Sequence, residues 1–320
     1  MKQAVILGFL GQTRDRFSHY HTDRSIEEKL DLAARIPGVS GVEIVSPYDI
    51  DSCDQLADEL RQRSLDIAAV NVNIKAEPEF VAGAASRSVP EIRRRVIDFI
   101  KRAKDDADRL DAPRVTCCPL SDGFDYLFTV DYSCAWANLR DTFAEAAEYR
   151  PEIPLLIEYK PSETRVQCHV DTMAKTLLLC REIGNPALGV TLDVGHALYA
   201  GENPAQSLCL AADSGFPYYI HVNDNNRKFD WDLIGSSEHF LHYAEFLFYA
   251  LEKGYNDFLT SDMSPRTLDI EEAFRRHVEV TEGTLRLVRE LDRKVFLERM
   301  AEERTTDLLR MVREQILRLP

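Results

Sequence analysis

Residues 155–160, Leu-Leu-Ile-Glu-Tyr-Lys, decide the fold: a short continuous apolar run that turns polar at its end. Successive apolar side chains suit a strand covered on both faces, the pattern of a parallel sheet rather than of an antiparallel sheet with one wet face. The design recurs at 4–9, 41–45, 66–72, 114–118, 155–159, 188–192, 216–222 and 257–260. Each run is followed by a helical pattern, over 25–36, 51–64, 90–111, 131–149, 168–184, 203–214, 236–253 and 270–291. Ser25 with Glu28 and Ser88 with Glu91 fit the capping box, and Asn203-Pro204 fits an N-cap followed by proline. Eight βα units within 320 residues give an α/β chain with the count and size of a (β/α)8 TIM barrel. A doubly wound open sheet is the alternative. Against it, Gly8-Phe-Leu-Gly11 leads into Gln-Thr-Arg and lacks the GxGxxG expected after its first strand.

The barrel is expected over 1–291 and a C-terminal helical extension over 292–320. The extension is highly charged, with apolar residues at Leu297, Met300, Leu308, Leu309, Met311, Val312, Ile316 and Leu317. Its apolar side faces either its own barrel or a neighbouring subunit, and the second arrangement would build a dimer or tetramer.

Charge and composition exclude several classes. With 39 basic against 54 acidic residues the net charge is −15, which repels nucleic acid and anionic membrane and leaves carboxylates for cations. No stretch approaches the ~20 apolar residues needed to span a bilayer. Ala4 to Leu10 is too short and lacks the cleavage site of a signal peptide, so it reads as a first strand. Seven cysteines with no CxxC spacing read as small buried residues in a reducing cytoplasm rather than a disulfide framework.

In a barrel the C-terminal ends of the strands converge on one mouth. The fifth run ends at Glu158 and Lys160, the sixth at Asp193 and His196, the seventh at His221 and the eighth at Asp262. Glu158, Asp193, His221 and Asp262 make an oxygen-rich set with one nitrogen, suited to Mn²⁺, Mg²⁺ or Zn²⁺ rather than to a thiolate-bound structural zinc. The polar loop 221–232, His-Val-Asn-Asp-Asn-Asn-Arg-Lys-Phe-Asp-Trp-Asp, adds Asp230 and Asp232, which point the same way in an extended segment. With His196 they form a second set just above the first. A carboxylate at a strand end also serves as a helix cap, His196 alone reads as a core histidine, and Asp230 and Asp232 alone read as solvated turn residues. The order of these residues, in successive βα loops on one face, turns the reading toward a site.

Glu158-x-Lys160, Asp193-x-x-His196, His221, Asp230-x-Asp232 and Asp262 together resemble the metal signature of the xylose isomerase-like barrel superfamily. Within it the pattern is most similar to L-rhamnose isomerase-type sugar isomerases, because Asp193 stands where xylose isomerases proper usually have glutamate. The resemblance implies a structural metal on Glu158, Asp193, His221 and Asp262, and a catalytic metal on His196, Asp230 and Asp232. It places Lys160 near the sugar O1, where an alkoxide develops. The implied activity is metal-dependent aldose–ketose isomerisation by a two-metal hydride shift, with Mn²⁺ favoured over Mg²⁺, Co²⁺ or Zn²⁺. Lys160, His196 and Asp232 are the expected catalytic residues; Lys160, Trp231 and Asn73 are the expected sugar contacts. The family's early-loop histidine for ring opening has no counterpart at Asn71-Val-Asn73, and only His19 and His21 occur early in the chain. Two readings stand beside the isomerase: a one-metal ketose 3-epimerase of the same superfamily, and a catalytically silent sugar-binding barrel. A three-zinc barrel endonuclease is disfavoured by the acidic balance.

Overall fold

The computed structural model describes residues 1–163 and 165–319; Pro320, the last residue of the expected extension, lies outside them. Eight parallel strands close into a barrel: β1 (Lys2–Ile6), β2 (Val39–Ser46), β3 (Asp66–Val72), β4 (Val115–Cys117), β5 (Leu155–Glu158), β6 (Leu188–Asp193), β7 (Tyr218–Val222) and β8 (Phe258–Ser261). Each strand pairs with its sequence neighbours, and β8 returns to β1 with Phe258 beside Lys2. Closure excludes the open doubly wound sheet.

Helices α1 (Ile26–Arg35), α2 (Cys53–Arg63), α3 (Pro90–Arg109), α4 (Tyr132–Glu148) and α5 (Met173–Ile183) follow the first five strands. After β6 come α6 (Val194–Tyr199) and α7 (Pro204–Asp213); α8 (Phe240–Glu252) and α9 (Ile270–Glu290) follow β7 and β8. Ser25 and Glu28 form the expected capping box, and Asn203 caps α7. The box expected at Ser88 and Glu91 does not form. Pro90 occupies the first turn of α3 and its ring holds Val89 extended, so the cap moves to Val89, which has no side-chain acceptor. The helix expected from 168 begins at Met173, because Gln167 and Cys168 pair with Phe124 and Gly123 in a small antiparallel bridge and Thr172 supplies the cap. The first strand, expected through Phe9, ends at Ile6, and Leu7–Leu10 turns as a 3₁₀ helix that buries Leu7 and Leu10.

Inside the barrel the N-terminal end is closed by Ala4, Leu156, Tyr219 and Phe258, with the Arg114 guanidinium 4.5 Å from the Tyr219 ring centre and ion-paired to Asp257. Toward the C-terminal end the interior becomes polar: Glu43, Thr116, Thr191, His221 and Thr260 are fully buried. Buried polar groups are costly unless paired or ligating, and Thr191 Oγ1 and His221 Nδ1 have no hydrogen-bond partner, so this layer points to chemistry at the mouth.

The extension continues as α10 (Arg293–Ala301) and α11 (Thr305–Met311). Of its two expected placements the structure shows packing on its own barrel: Phe296, Leu308, Val312 and Ile316 join Ala244 and Phe248 of α8, with Phe248 and Phe296 ring centres 5.8 Å apart. Among the described residues no helix is long and apolar enough to cross a membrane.

Candidate metal centre

Parallel pairing sets Asp193 of β6 beside His221 of β7, and Glu158 of β5 beside Thr191, two residues before Asp193. Asp262 follows β8 directly, its backbone N–H donating to the Val222 carbonyl at 3.3 Å. One potential ligand atom from each of Glu158, Asp193, His221 and Asp262 lies within 4.8 Å of all the others. Among the described residues this is the one set of three or more such donors gathered so closely.

The Asp193-x-x-His196 spacing has a local cause. Asp193 is the N-cap of α6 and its Oδ1 accepts from the His196 N–H at 2.7 Å, while its Oδ2 accepts from Asn223 Nδ2 at 3.0 Å. Capping residue and donor stand three apart, so the cap and the candidate ligand are one side chain, and the cap geometry brings His196 over the site. Gly195 lets this turn approach Asn223, since a Cβ there would fall 2.3 Å from Asn223 Oδ1.

His221 is oriented from behind. Its Nε2 donates to Glu43 Oε2 at 2.9 Å, leaving Nδ1 facing Asp262 Oδ2 at 3.4 Å and Glu158 Oε1 at 3.5 Å. That Nδ1 is buried and has no hydrogen-bond partner. An unpartnered imidazole nitrogen facing carboxylates at the ends of β5 and β8 is what a hard or borderline divalent ion requires, so the residues fit a metal. Glu43, on β2, also accepts from Thr116 Oγ1 at 2.7 Å and, more loosely, from Asn71 Nδ2 at 3.4 Å. Reading only the strand ends misses Glu43, although a lone carboxylate inside Gly-Val-Glu-Ile-Val at 41–45 is its signal.

The second expected set is held differently. His196 Nε2 donates to Asp230 Oδ2 at 3.2 Å, the same oxygen lies 2.8 Å from Lys160 Nζ, and Lys160 also reaches Glu163 Oε2 at 2.6 Å. Asp232, at φ +47°, lines the same cavity, but the three side chains do not gather as the first four do. His196 bridges the two sets, with its Nδ1 3.2 Å from Glu158 Oε1.

Burial and charge oppose each other at Glu158 and both histidines and largely reinforce each other at Asp193 and Asp232. Burial would raise Glu158, but the His221 and His196 rings outweigh it and hold that carboxyl well below the usual range. Asp193 is pushed up to about 7 by burial and by the charges of Asp262 and Glu158, against the pull of His196. Burial, then Asp230 and Asp262, raise Asp232 strongly. Burial would lower both histidines, but facing carboxylates raise them, chiefly Asp193 and Asp230 at His196 and Glu43 and Glu158 at His221. Metal binding would therefore displace protons from this network.

A cavity of about 520 Å³ opens onto the site, within the ~300–1,000 Å³ common for small-molecule sites. Its wall includes Asn73, Glu158, Lys160, His196, Asp230, Asp232 and Asp262, while Asp193 and His221 are fully buried and do not line it. Trp231 is 45% exposed and outside this wall. Asn73 spends its Oδ1 on the Lys75 and Ala76 N–H groups, bracing the loop after β3. His21 hydrogen-bonds the Pro265 carbonyl and His19 pairs with Gln12; neither lines the cavity.

Fold and site together define a (β/α)8 barrel with a carboxylate–imidazole cluster buried under its mouth. The chain belongs to the xylose isomerase-like TIM barrel family, whose model matches residues 30–283. A xylose isomerase of Chelativorans sp. (strain BNC1) is 26% identical over 207 residues, covering 63% of this chain and 47% of that protein. The chain thus spans about half the length of the curated relative it matches. Among solved structures, a D-tagatose 3-epimerase-like protein superposes with a TM-score of 0.71 at 20% identity, covering 91% of this chain and 99% of the other. An L-ribulose 3-epimerase does so with a TM-score of 0.71 at 17% identity, covering 93% and 98%. At these identities the superpositions speak to the fold.

Proposed function

We propose that this protein is a metal-dependent aldose–ketose sugar isomerase. The observation that carries the reading is the sharing of one cavity wall by Glu158 and Asp262 of the four-donor cluster with Lys160, His196, Asp230 and Asp232. A divalent ion on Glu158, Asp193, His221 and Asp262, Mn²⁺ by preference, supplies Lewis-acid stabilisation of negative charge on the sugar oxygens. Lys160 brings a fixed positive charge: burial would lower it, but Asp230 and Glu163 raise it well above its ordinary value. That charge favours an alkoxide at the sugar carbonyl end. His196, between Glu158 and Asp230, holds a proton at Nε2 against Asp230. Asp232, raised strongly, presents a carboxyl to the same cavity. A second ion at His196, Asp230 and Asp232 belongs to the same proposal and would take the place of the proton on His196 Nε2; the buried Asp230 Oδ1 lacks a hydrogen-bond partner, which supports it.

The carboxylates of this wall are mostly engaged as metal donors or ion pairs, which favours hydrogen moving directly between C1 and C2 over abstraction by a free base. A ketose 3-epimerase is the second reading, favoured by Glu158 and Asp262, both on the cavity wall and both facing His221 Nδ1. Conversion in heavy water separates the two. Deuterium placed at C2 of the aldose should appear at C1 of the ketose with little solvent label. Solvent deuterium at C3 would replace the isomerase with the epimerase, and saturable sugar binding without product would leave a binding barrel. All seven cysteines are free, five of them buried as expected, whereas Cys134 is exposed and Cys209 half-buried; a cytoplasmic setting and a homodimer or tetramer are part of the same proposal.

A further inference from the structure

We propose that the sugar handled at this site carries an anionic group, a phosphate or a carboxylate, received by Arg14 and Lys75. The inference rests on the sugar-isomerase reading and narrows its substrate class. Both cations line the same cavity as the metal cluster, Arg14 from the hairpin after β1 and Lys75 from the loop after β3. Neither has an ion pair among the described residues, although the chain carries a net charge of −15.

The nearest carboxylates in sequence are engaged elsewhere. Asp15, beside Arg14, accepts from the Phe17 and Ser18 N–H groups at 2.7 and 2.9 Å and from the Tyr20 hydroxyl at 2.7 Å. Glu77, two residues after Lys75, accepts from the Tyr48 hydroxyl at 2.6 Å and pairs with Arg95 at 3.3 Å, and Glu79 pairs with the same arginine. Of the cavity-wall carboxylates, Glu158 and Asp262 belong to the four-donor cluster and Glu163 and Asp230 pair with Lys160, while Asp232 forms no ion pair with either cation. The Lys75 main chain is braced, because the Asn73 side chain accepts from its backbone N–H at 3.0 Å. Two cations on this wall that pair with none of its acids match a ligand that brings its own negative charge. Arginine favours planar or tetrahedral oxyanions through paired N–H donors, and lysine adds a point charge. A neutral sugar would use neither charge.

The test uses Mn²⁺-loaded protein and matched sets, each made of one neutral sugar, its terminal phosphate and its terminal carboxylate, across several stereochemistries. Dissociation constants are measured calorimetrically and turnover by product analysis, for the wild type and for an Arg14→Gln, Lys75→Gln double variant. In at least one set the anionic member should bind ~tenfold or more tightly than its neutral partner. That ratio should fall toward one in the double variant and in high salt. The phosphate and carboxylate arms identify which anion is read. If neutral sugars are converted and bound as well as their charged partners, the inference falls and the isomerase reading stands. A preference that survives in a double variant of native circular dichroism also overturns it. If no member of any set binds or reacts, both readings fall.

Discussion

Replacing Glu43 should weaken metal binding without touching a metal ligand. Glu43 is fully buried and its Oε2 accepts the proton on His221 Nε2 at 2.9 Å, so it fixes which ring nitrogen is left for the ion and how the ring is turned. Carboxylate partners of ligating histidines are typically worth ~10–100-fold in metal affinity, which is ~1.4–2.7 kcal/mol. Glu43→Gln can still offer an amide oxygen to His221, but it loses the charge and turns its NH2 toward the donor Asn71 Nδ2, so about tenfold is expected. Glu43→Leu removes the acceptor and strands the His221 Nε2 and Thr116 hydroxyl protons in the barrel interior, so the loss should approach ~100-fold. The assay is calorimetric titration of chelator-stripped protein with Mn²⁺, beside circular dichroism and a melting curve of the stripped form. Equal Mn²⁺ affinity in wild type and both variants, with the fold intact, would refute the argument that Glu43 holds His221 for a metal.

Chelation of the loaded wild type should lower its melting temperature by several degrees, since an ion at 100 times its dissociation constant stabilises the folded state by ~2.7 kcal/mol; protein shown by elemental analysis to start loaded and to melt unchanged would count against the site. Asp232→Asn should abolish turnover while a sugar still binds, whereas Glu158→Gln, which removes a donor of the four-atom cluster, should lose both. Wild-type turnover in Asp232→Asn would dismiss a role for that carboxyl. A third outcome concerns pH: burial lowers His277 from 6.5 to about 4, and its Nδ1 accepts from the Gly235 N–H at 3.0 Å. The unfolded chain then binds the extra proton between these values, so this contribution, at most ~3 kcal/mol, is complete above pH ~6.5 and lost as pH falls toward 4. His277→Asn, which keeps an acceptor for Gly235, should flatten the difference in denaturation midpoint between pH 7 and 5, and an equally steep dependence in the variant would assign it to other groups.

How much of this was legible in the sequence depends on whether a residue acts through its own strand or across the barrel. Apolar runs announce buried parallel strands because covered faces leave no room for polar residues, and the eight runs became the eight strands. The cluster Glu158, Asp193, His221 and Asp262 was legible for the same reason: each residue sits where a run turns polar, and closure brings those ends together. Glu43 was not, because its partners Thr116 and His221 lie 73 and 178 residues away and no local pattern encodes that contact. The same limit applies to Asp230. Its spacing from Asp232 suggests two ligands side by side through an extended segment; the positive φ at Asp232 departs from that geometry and Lys160 from β5's loop pairs with Asp230 Oδ2, so a second ion there rests on the unpartnered Asp230 Oδ1 and stays a proposal. Boundaries failed where one residue overrode a pattern, as when Pro90 moved the α3 cap from Ser88 to Val89. At Asp193 the cap reading and the ligand reading, which compete in sequence, fall on one carboxylate, whose Oδ1 accepts from the His196 N–H and whose Oδ2 accepts from Asn223 while the side chain belongs to the four-donor cluster. Substituting Asp193 by Asn would keep an acceptor for α6 while removing charge from the cluster. The helix cap would then survive and metal affinity would not, so that one variant separates the roles that the spacing alone had merged.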